Sequence, residues 1–224
     1  MSLDLHFYSW SLVTDYLFRG FVFSLKLTLT ATFFGTVIGT FLALARLSKK
    51  TYISHPAAAV INTMRAVPLV MLILWFYLLV PLFIGRSIGA ELSAYITFSI
   101  FESAFFAEII RSGIQSLPRG QTQAAQALGL SNAQVLRYVI LPQAFRQTIP
   151  ILLTQVIVLF QDSSLVYAIG AYDWLKGFEI AGKNYGRPVE AYLLAAISYF
   201  TMCFILSRIV QELKSRVSFN GSEA

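Results

Sequence analysis

Five stretches of this chain are each long and apolar enough to cross a lipid bilayer, and no other feature narrows its possible folds so far. A helix needs about 20 mainly apolar residues to span a hydrocarbon core of about 30 Å. The stretches fall at about 21–44, 60–84, 88–110, 149–169 and 191–210; the second has its apolar core over 67–84 and extends backwards through 57–64. Backbone N–H and C=O groups inside lipid need internal partners, so such runs predict helices. Only 12% of the residues are charged and 57% are hydrophobic, whereas an average soluble domain is about 25% charged. The expected fold class is an all-α integral membrane protein with about five transmembrane helices, forming one domain over 21–213. Residues 1–20 mix Phe7, Tyr8, Trp10, Tyr16 and Phe18 with Asp15 and Arg19, which predicts a periplasmic segment in the headgroup region.

Lysine and arginine are enriched in loops on the cytoplasmic side. One set of segments holds Arg46, Lys49 and Lys50, then Arg111, Arg119, Arg137 and Arg146, then Arg208, Lys214 and Arg216, with Glu212 and Glu223 as its only acids. The other set holds Arg19, Lys26, Arg86, Lys176, Lys183 and Arg187 together with most of the acids. The bias predicts the N-terminus outside and the C-terminus inside, with 111–147 as a long cytoplasmic loop and 214–224 as a cytoplasmic tail. No basic region precedes an apolar stretch at Met1 to His6, so no cleavable signal is expected.

The net charge of +6 does not imply nucleic acid, because no basic run with interleaved aromatics is present to track a phosphate backbone. Cys203 is the only cysteine, and His6 and His55 lie far apart, so neither a disulfide framework nor a metal site is expected. No cofactor is expected either. Gly177 to Lys183 has the spacing of a phosphate-binding loop, but Asn184 stands where Ser or Thr would hold magnesium, and no strand precedes it. No serine, cysteine or carboxylate constellation for hydrolysis stands out, so the chain is not expected to be an enzyme.

The long loop carries the strongest pattern. Pro118 and Gly120 end one element, and Gln121 to Leu128 is rich in helix-forming Ala and Gln. Gly129 can take the positive φ that closes a helix, and Ser131 or Asn132 can cap the next. Val135, Leu136, Val139 and Ile140 give that second helix an apolar stripe, with Pro142 near its end. Two short helices around a glycine elbow are predicted. Ala124, Ala125 and Ala127 leave a face without bulk, suited to a cleft on another protein.

This segment resembles the coupling loop of binding-protein-dependent ABC importer permeases, whose pattern is Glu-Ala-Ala, a glycine four residues on, and a later Leu-Pro. Ala124, Ala125, Gly129, Leu141 and Pro142 match that spacing, and Gln123 stands where the family has glutamate. The resemblance extends along nearly the whole chain. Arg65-Ala66-Val67-Pro68-Leu69 with Trp75-Phe76-Tyr77-Leu78 looks like the second span of polar amino-acid permeases, as does Phe101-Glu102-Ser103-Ala104-Phe105 followed by Glu108 to Ile114. Phe160 to Tyr167 is most similar to the glutamate/aspartate branch; many relatives with other substrates have lysine where Gln161 stands.

The resemblance implies a type I ABC importer permease fold and a complex containing two ATPase subunits. It also implies a paralogous permease subunit or a second copy, and a periplasmic amino-acid-binding protein. Gly120, Gln121, Gln123, Ala124, Ala125, Gly129, Leu141 and Pro142 would then engage the ATPase. Glutamate and aspartate are the implied substrates, with glutamine or basic amino acids as the alternative. From another class, an ion channel would conduct without ATP, and the alanine-rich docking loop argues against it.

Polar residues at membrane depth usually face a bundle interior or an aqueous path. Gln161-Asp162-Ser163-Ser164 interrupts the apolar fourth span, and interrupted helices are one way transporters build ligand sites. Two readings stay open: this segment lines the substrate path, or the helix ends early with Asp162 as a cap. Arg65 either holds a substrate carboxylate or snorkels to the headgroups. Glu102 is a candidate for an ammonium group, whereas Glu108 and Arg111, three apart, form a structural pair. Gly35 and Gly39, with Thr28, Thr32, Thr36 and Thr40 at four-residue intervals, predict close helix packing in the first span.

Overall fold

A computed structural model of the chain describes residues 12–219. Residues 1–11 of the interfacial segment and 220–224 of the tail lie outside the described residues. A wide, π-helical run Val13–Leu17 leads into α1 (Phe18–Arg46), and then α2 (Thr51–Ala66), α3 (Leu69–Ile84) and α4 (Ala90–Ser116) follow. The loop region contains α5 (Arg119–Ala127), the single turn α6 (Asn132–Gln134) and a second π-helical run Val135–Ile140. After it come α7 (Leu141–Asp162), a 3₁₀ segment Ser163–Ile169, α8 (Trp174–Asn184) and α9 (Pro188–Phe219). No strand occurs among the described residues.

Among the described residues, four helical runs are long and apolar enough to span a membrane: Val13–Arg46, Ala90–Ser116, Asn132–Ile169 and Pro188–Lys214. The expected second span is a bent pair, α2 and α3, meeting at 104°. The cause is local. Pro68 has no N–H to donate and pushes Val67 out of the helical region, and it serves as the N-cap of α3 with φ −59° and ψ 134°. The first run is longer than the apolar stretch at 21–44, because Gly20 does not break it. A Cβ at Gly20 would lie 2.3 Å from the Asp173 carbonyl oxygen, so glycine there permits a close helix approach.

The chain divides into two compact units. One holds the described residues up to Phe33, with Val67–Ile100 and Val156–Ser207; the other holds Phe34–Ala66, Phe101–Gln155 and the described residues from Arg208. In the first unit Trp174 is the hub of an aromatic cluster. Its ring lies 5.1 Å from Phe21, 4.8 Å from Tyr199 and 5.8 Å from Phe178, centroid to centroid. In the second unit Ala43, Ile61, Ala104, Ala107 and Ile110 form a core of mostly small residues. Gly39 fits there because a Cβ would come within 2.8 Å of the Ser103 carbonyl oxygen. Close backbone approach of small residues is how helices associate in lipid, where tails offer no hydrophobic driving force.

Candidate functional site

The loop folds from its own turn chemistry. Pro118 precedes α5 as its N-cap, and Gly120 lies inside that helix where a boundary was expected. Gly129 has φ +84°, a conformation strained for any residue with a Cβ, and the Leu130 N–H donates back to the Ala125 carbonyl (3.2 Å). Ser131 caps the next turn in a reciprocal box. Its hydroxyl accepts from the Gln134 N–H, and the Gln134 side chain accepts from the Ser131 N–H (2.9 Å). Pro142 does not end the second helix, since helical structure continues unbroken from Asn132 to Ile169.

Packing then separates the alanines. Ala125 is buried against Val135 and Ile140, so it holds the loop together. Gln123, Ala124 and Ala127 are exposed, as are Gln121 and Pro142, whereas Leu141 is half-buried. Gln121 accepts from the Gln143 amide at 3.4 Å, a link across 22 positions. Leu128, 83% exposed beside the elbow, is a large apolar side chain outside the residues that the family pattern marks. Its signal was available: an apolar residue directly before a helix-closing glycine.

In the first unit α7 runs through Gln161 and Asp162 without a break and then tightens into 3₁₀ turns at Ser163. The α-helix ends at Asp162, the chain continues in 3₁₀ turns, and Asp162 makes no side-chain cap. Ser163 is fully buried and its hydroxyl donates to the Phe160 carbonyl (2.7 Å), which compensates the tightened turn. Ser164 donates likewise to Gln161 (2.9 Å). Gln161 and Ser164 line a cleft of about 490 Å³ together with Tyr199, Cys203 and Ser207 of α9.

In the second unit Glu102 is fully buried, and its Oε2 accepts from the Gln155 amide at 3.1 Å. Arg65, exposed at the end of α2, lies with its guanidinium 5.5 Å over the Phe105 ring. Arg65 and Gln155 line one cleft of about 480 Å³, whose walls also include Glu108, Ser112 and Gln147. Glu108 is engaged twice, by Arg46 at 2.7 Å and by Arg111. The Glu108–Arg111 pair follows from helical spacing; the Arg46 partner, 62 positions away, does not.

The phosphate-loop lookalike is the helix α8. A Cβ at Gly177 would lie 2.6 Å from the Tyr16 carbonyl oxygen, and one at Gly182 the same distance from the Ala191 Cβ, so both glycines serve close packing. Asp173 caps this helix, accepting from the N–H groups of Leu175 (3.0 Å) and Lys176 (3.1 Å). Its burial pushes the carboxyl up to about 6 despite those bonds. Glu179, 4% exposed, is held below the usual carboxylate range by hydrogen bonds from Lys176 (2.7 Å) and Lys183.

Comparison with known proteins agrees with this architecture. The glutamate/aspartate import permease protein GltK of Escherichia coli O157:H7 is 43% identical over 221 residues, covering 94% of this chain and 99% of that protein. The probable amino-acid ABC transporter permease protein YckA of Bacillus subtilis is 37% identical, covering 85% of this chain and 84% of that protein. A solved structure described as "Crystal structure of an amino acid ABC transporter with histidines" superposes with a TM-score of 0.85 at 33% identity, covering 96% of this chain and 100% of the matched chain. A MetNI methionine ABC transporter chain shares the fold at 23% identity, with a TM-score of 0.71 and coverage of 89% and 97%. The sequence profile "Binding-protein-dependent transport system inner membrane component" matches residues 35–219, so the chain belongs to that family of multi-pass membrane permeases.

Proposed function

We propose that this chain is the permease subunit of an ATP-binding-cassette importer that carries glutamate and aspartate across the bacterial inner membrane. The observation that supports this most is the 43% identity with a glutamate/aspartate import permease over nearly the full length of both chains. The Gln161-Asp162-Ser163-Ser164 segment favours the same branch.

In this reading the N-terminus is outside and the segment from Gly120 to Pro142 is cytoplasmic. Gln121, Gln123, Ala124 and the elbow at Gly129 face an ATPase subunit, with Leu141 and Pro142 leading into the span behind it. Leu128 is the apolar knob of that contact. The chain supplies no hydrolysis itself: two ATPase subunits close on ATP and draw two such loops together. A paralogous permease or a second copy completes the path, and a periplasmic amino-acid-binding protein delivers the substrate. Gln161 to Ser164, Arg65 and Glu102 belong to the substrate path.

The test is uptake of radiolabelled glutamate, aspartate, glutamine and arginine by cells lacking this chain, with and without its restoration. Restored uptake of the two acidic amino acids is expected. Restoration of glutamine alone would favour the other branch, since a probable glutamine permease of Bacillus subtilis is 33% identical over 210 residues. Unchanged uptake of all four rejects the assignment.

A further inference from the structure

The cleft of the second unit carries a charge pattern that packing alone does not require. Glu108, the one acid on its wall, is already bound by Arg46 and Arg111. Arg65 adds a further cation on the same wall; it acts electrostatically on Glu108, whereas the close ion pairs of that carboxylate are with Arg46 and Arg111. Its guanidinium rests over the face of Phe105 at 5.5 Å. A guanidinium held against a ring keeps its in-plane N–H donors directed outward, matched to a planar carboxylate.

Two amides line this wall, and a neighbour sets the orientation of one of them. Glu102 accepts from the Gln155 Nε2 (3.1 Å), which directs the Gln155 NH₂ group to the carboxylate and leaves its carbonyl oxygen as the acceptor. The Gln147 amide lies 3.1 Å from the Ser116 hydroxyl, whose single proton goes to the Gly113 carbonyl (2.8 Å), so the Gln147 NH₂ group can serve as a donor on this wall. One wall thus offers charged and neutral donors together with an oriented acceptor. The cleft, about 480 Å³, is within the size range of small-molecule sites.

We propose that this cleft binds the transported acidic amino acid. Arg65 holds one of its carboxylates, Gln147 donates to the other, and the Gln155 carbonyl, positioned by Glu102, accepts from the ammonium group. The inference rests on the acidic-substrate reading and adds the site and its chemistry. Arginine snorkelling alone does not account for two glutamines lining the same cleft as Arg65.

The experiment is glutamate uptake into proteoliposomes holding the complete complex, at saturating binding protein, for the parent, R65K and R65Q. Loss of a charged hydrogen-bonding pair is expected to lower kcat/KM for glutamate by about tenfold or more in R65Q. R65K, which keeps the charge without the fork, is expected to fall in between. Should R65Q fail to assemble, R65K decides, and parent-like kinetics in it count against the site. E102Q frees the Gln155 amide to turn over and is expected to raise KM for glutamate. The exchanged pair E102Q/Q155E, which restores the hydrogen bond and an acceptor, is expected to recover it.

R65Q with parent kcat and KM overturns the site while leaving the acidic-substrate reading intact. An exchanged pair no better than E102Q overturns the role given to Gln155. Parent proteoliposomes that import neither glutamate nor aspartate overturn the underlying reading instead.

Discussion

Asp173 shows how one residue links local capping to a response to pH. It is fully buried and caps α8, and its carboxyl stands at about 6 against an ordinary 3.8. A raised acid binds its proton more tightly in the folded state, so its contribution to stability is full below pH 3.8 and is lost as pH rises to about 6. Relative to D173N, which keeps a good cap without the charge, the parent is expected to gain roughly 1 kcal/mol between pH 7 and pH 5. Thermal unfolding of the two proteins in detergent at both pH values measures this, and parallel shifts would refute it. Glu179 behaves oppositely. E179Q leaves Lys176 and Lys183 without their shared carboxylate, and a fall in unfolding temperature is expected at neutral pH. Gly39 tests packing: in G39V the new side chain meets the Ser103 carbonyl and the Ala107 nitrogen, 2.8 and 3.0 Å from a Cβ. A several-fold drop in membrane abundance on immunoblots is expected, with a normal level for G85A as a control for strain without a clash, since nothing lies within 4 Å there.

At the scale of the element, the loop from Pro118 to Pro142 is a rigid elbow rather than a tether. Its stiffness comes from the positive φ at Gly129, the Ser131–Gln134 box and the buried contacts of Ala125. A β-branched side chain at positive φ costs on the order of 1–2 kcal/mol, and loss of a serine cap about 1 kcal/mol. G129V and S131A are therefore expected to lower the number of glutamate molecules imported per ATP hydrolysed, G129V more strongly. Measuring both rates in the same proteoliposomes tests this; an unchanged ratio in G129V would show that the elbow transmits nothing. The 104° bend at Val67–Pro68 has an equally local origin, in a proline ring that forbids the preceding residue a helical backbone.

For the whole molecule, the proposed orientation is open to direct labelling. In a C203S background, single cysteines at Leu128 and at Lys183, both exposed, are expected to react from opposite sides of the membrane. Lys183→Cys should label in intact spheroplasts with an impermeant maleimide, and Leu128→Cys only after lysis. Labelling of the Leu128 position from outside would remove the ATPase contact and the import mechanism with it.

Much of this protein was legible in its residues, for a physical reason. Spans announce themselves by continuous apolar runs, because lipid demands them along the whole length of a helix. The loop's elbow and cap are written in residues within four positions of one another, Gly129 to Ser131 and Ser131 to Gln134. So was the Glu108–Arg111 pair. What the tertiary structure alone decided involves partners far apart in the chain: Gln155 on Glu102 across 53 positions, Arg46 on Glu108 across 62, and Arg65 laid on Phe105. It also decided that Ala125 is core while Ala124 is surface, and that the helix tightens at Ser163 instead of breaking. Periodicity and turn chemistry act along the chain, whereas these contacts depend on which faces of separate helices meet.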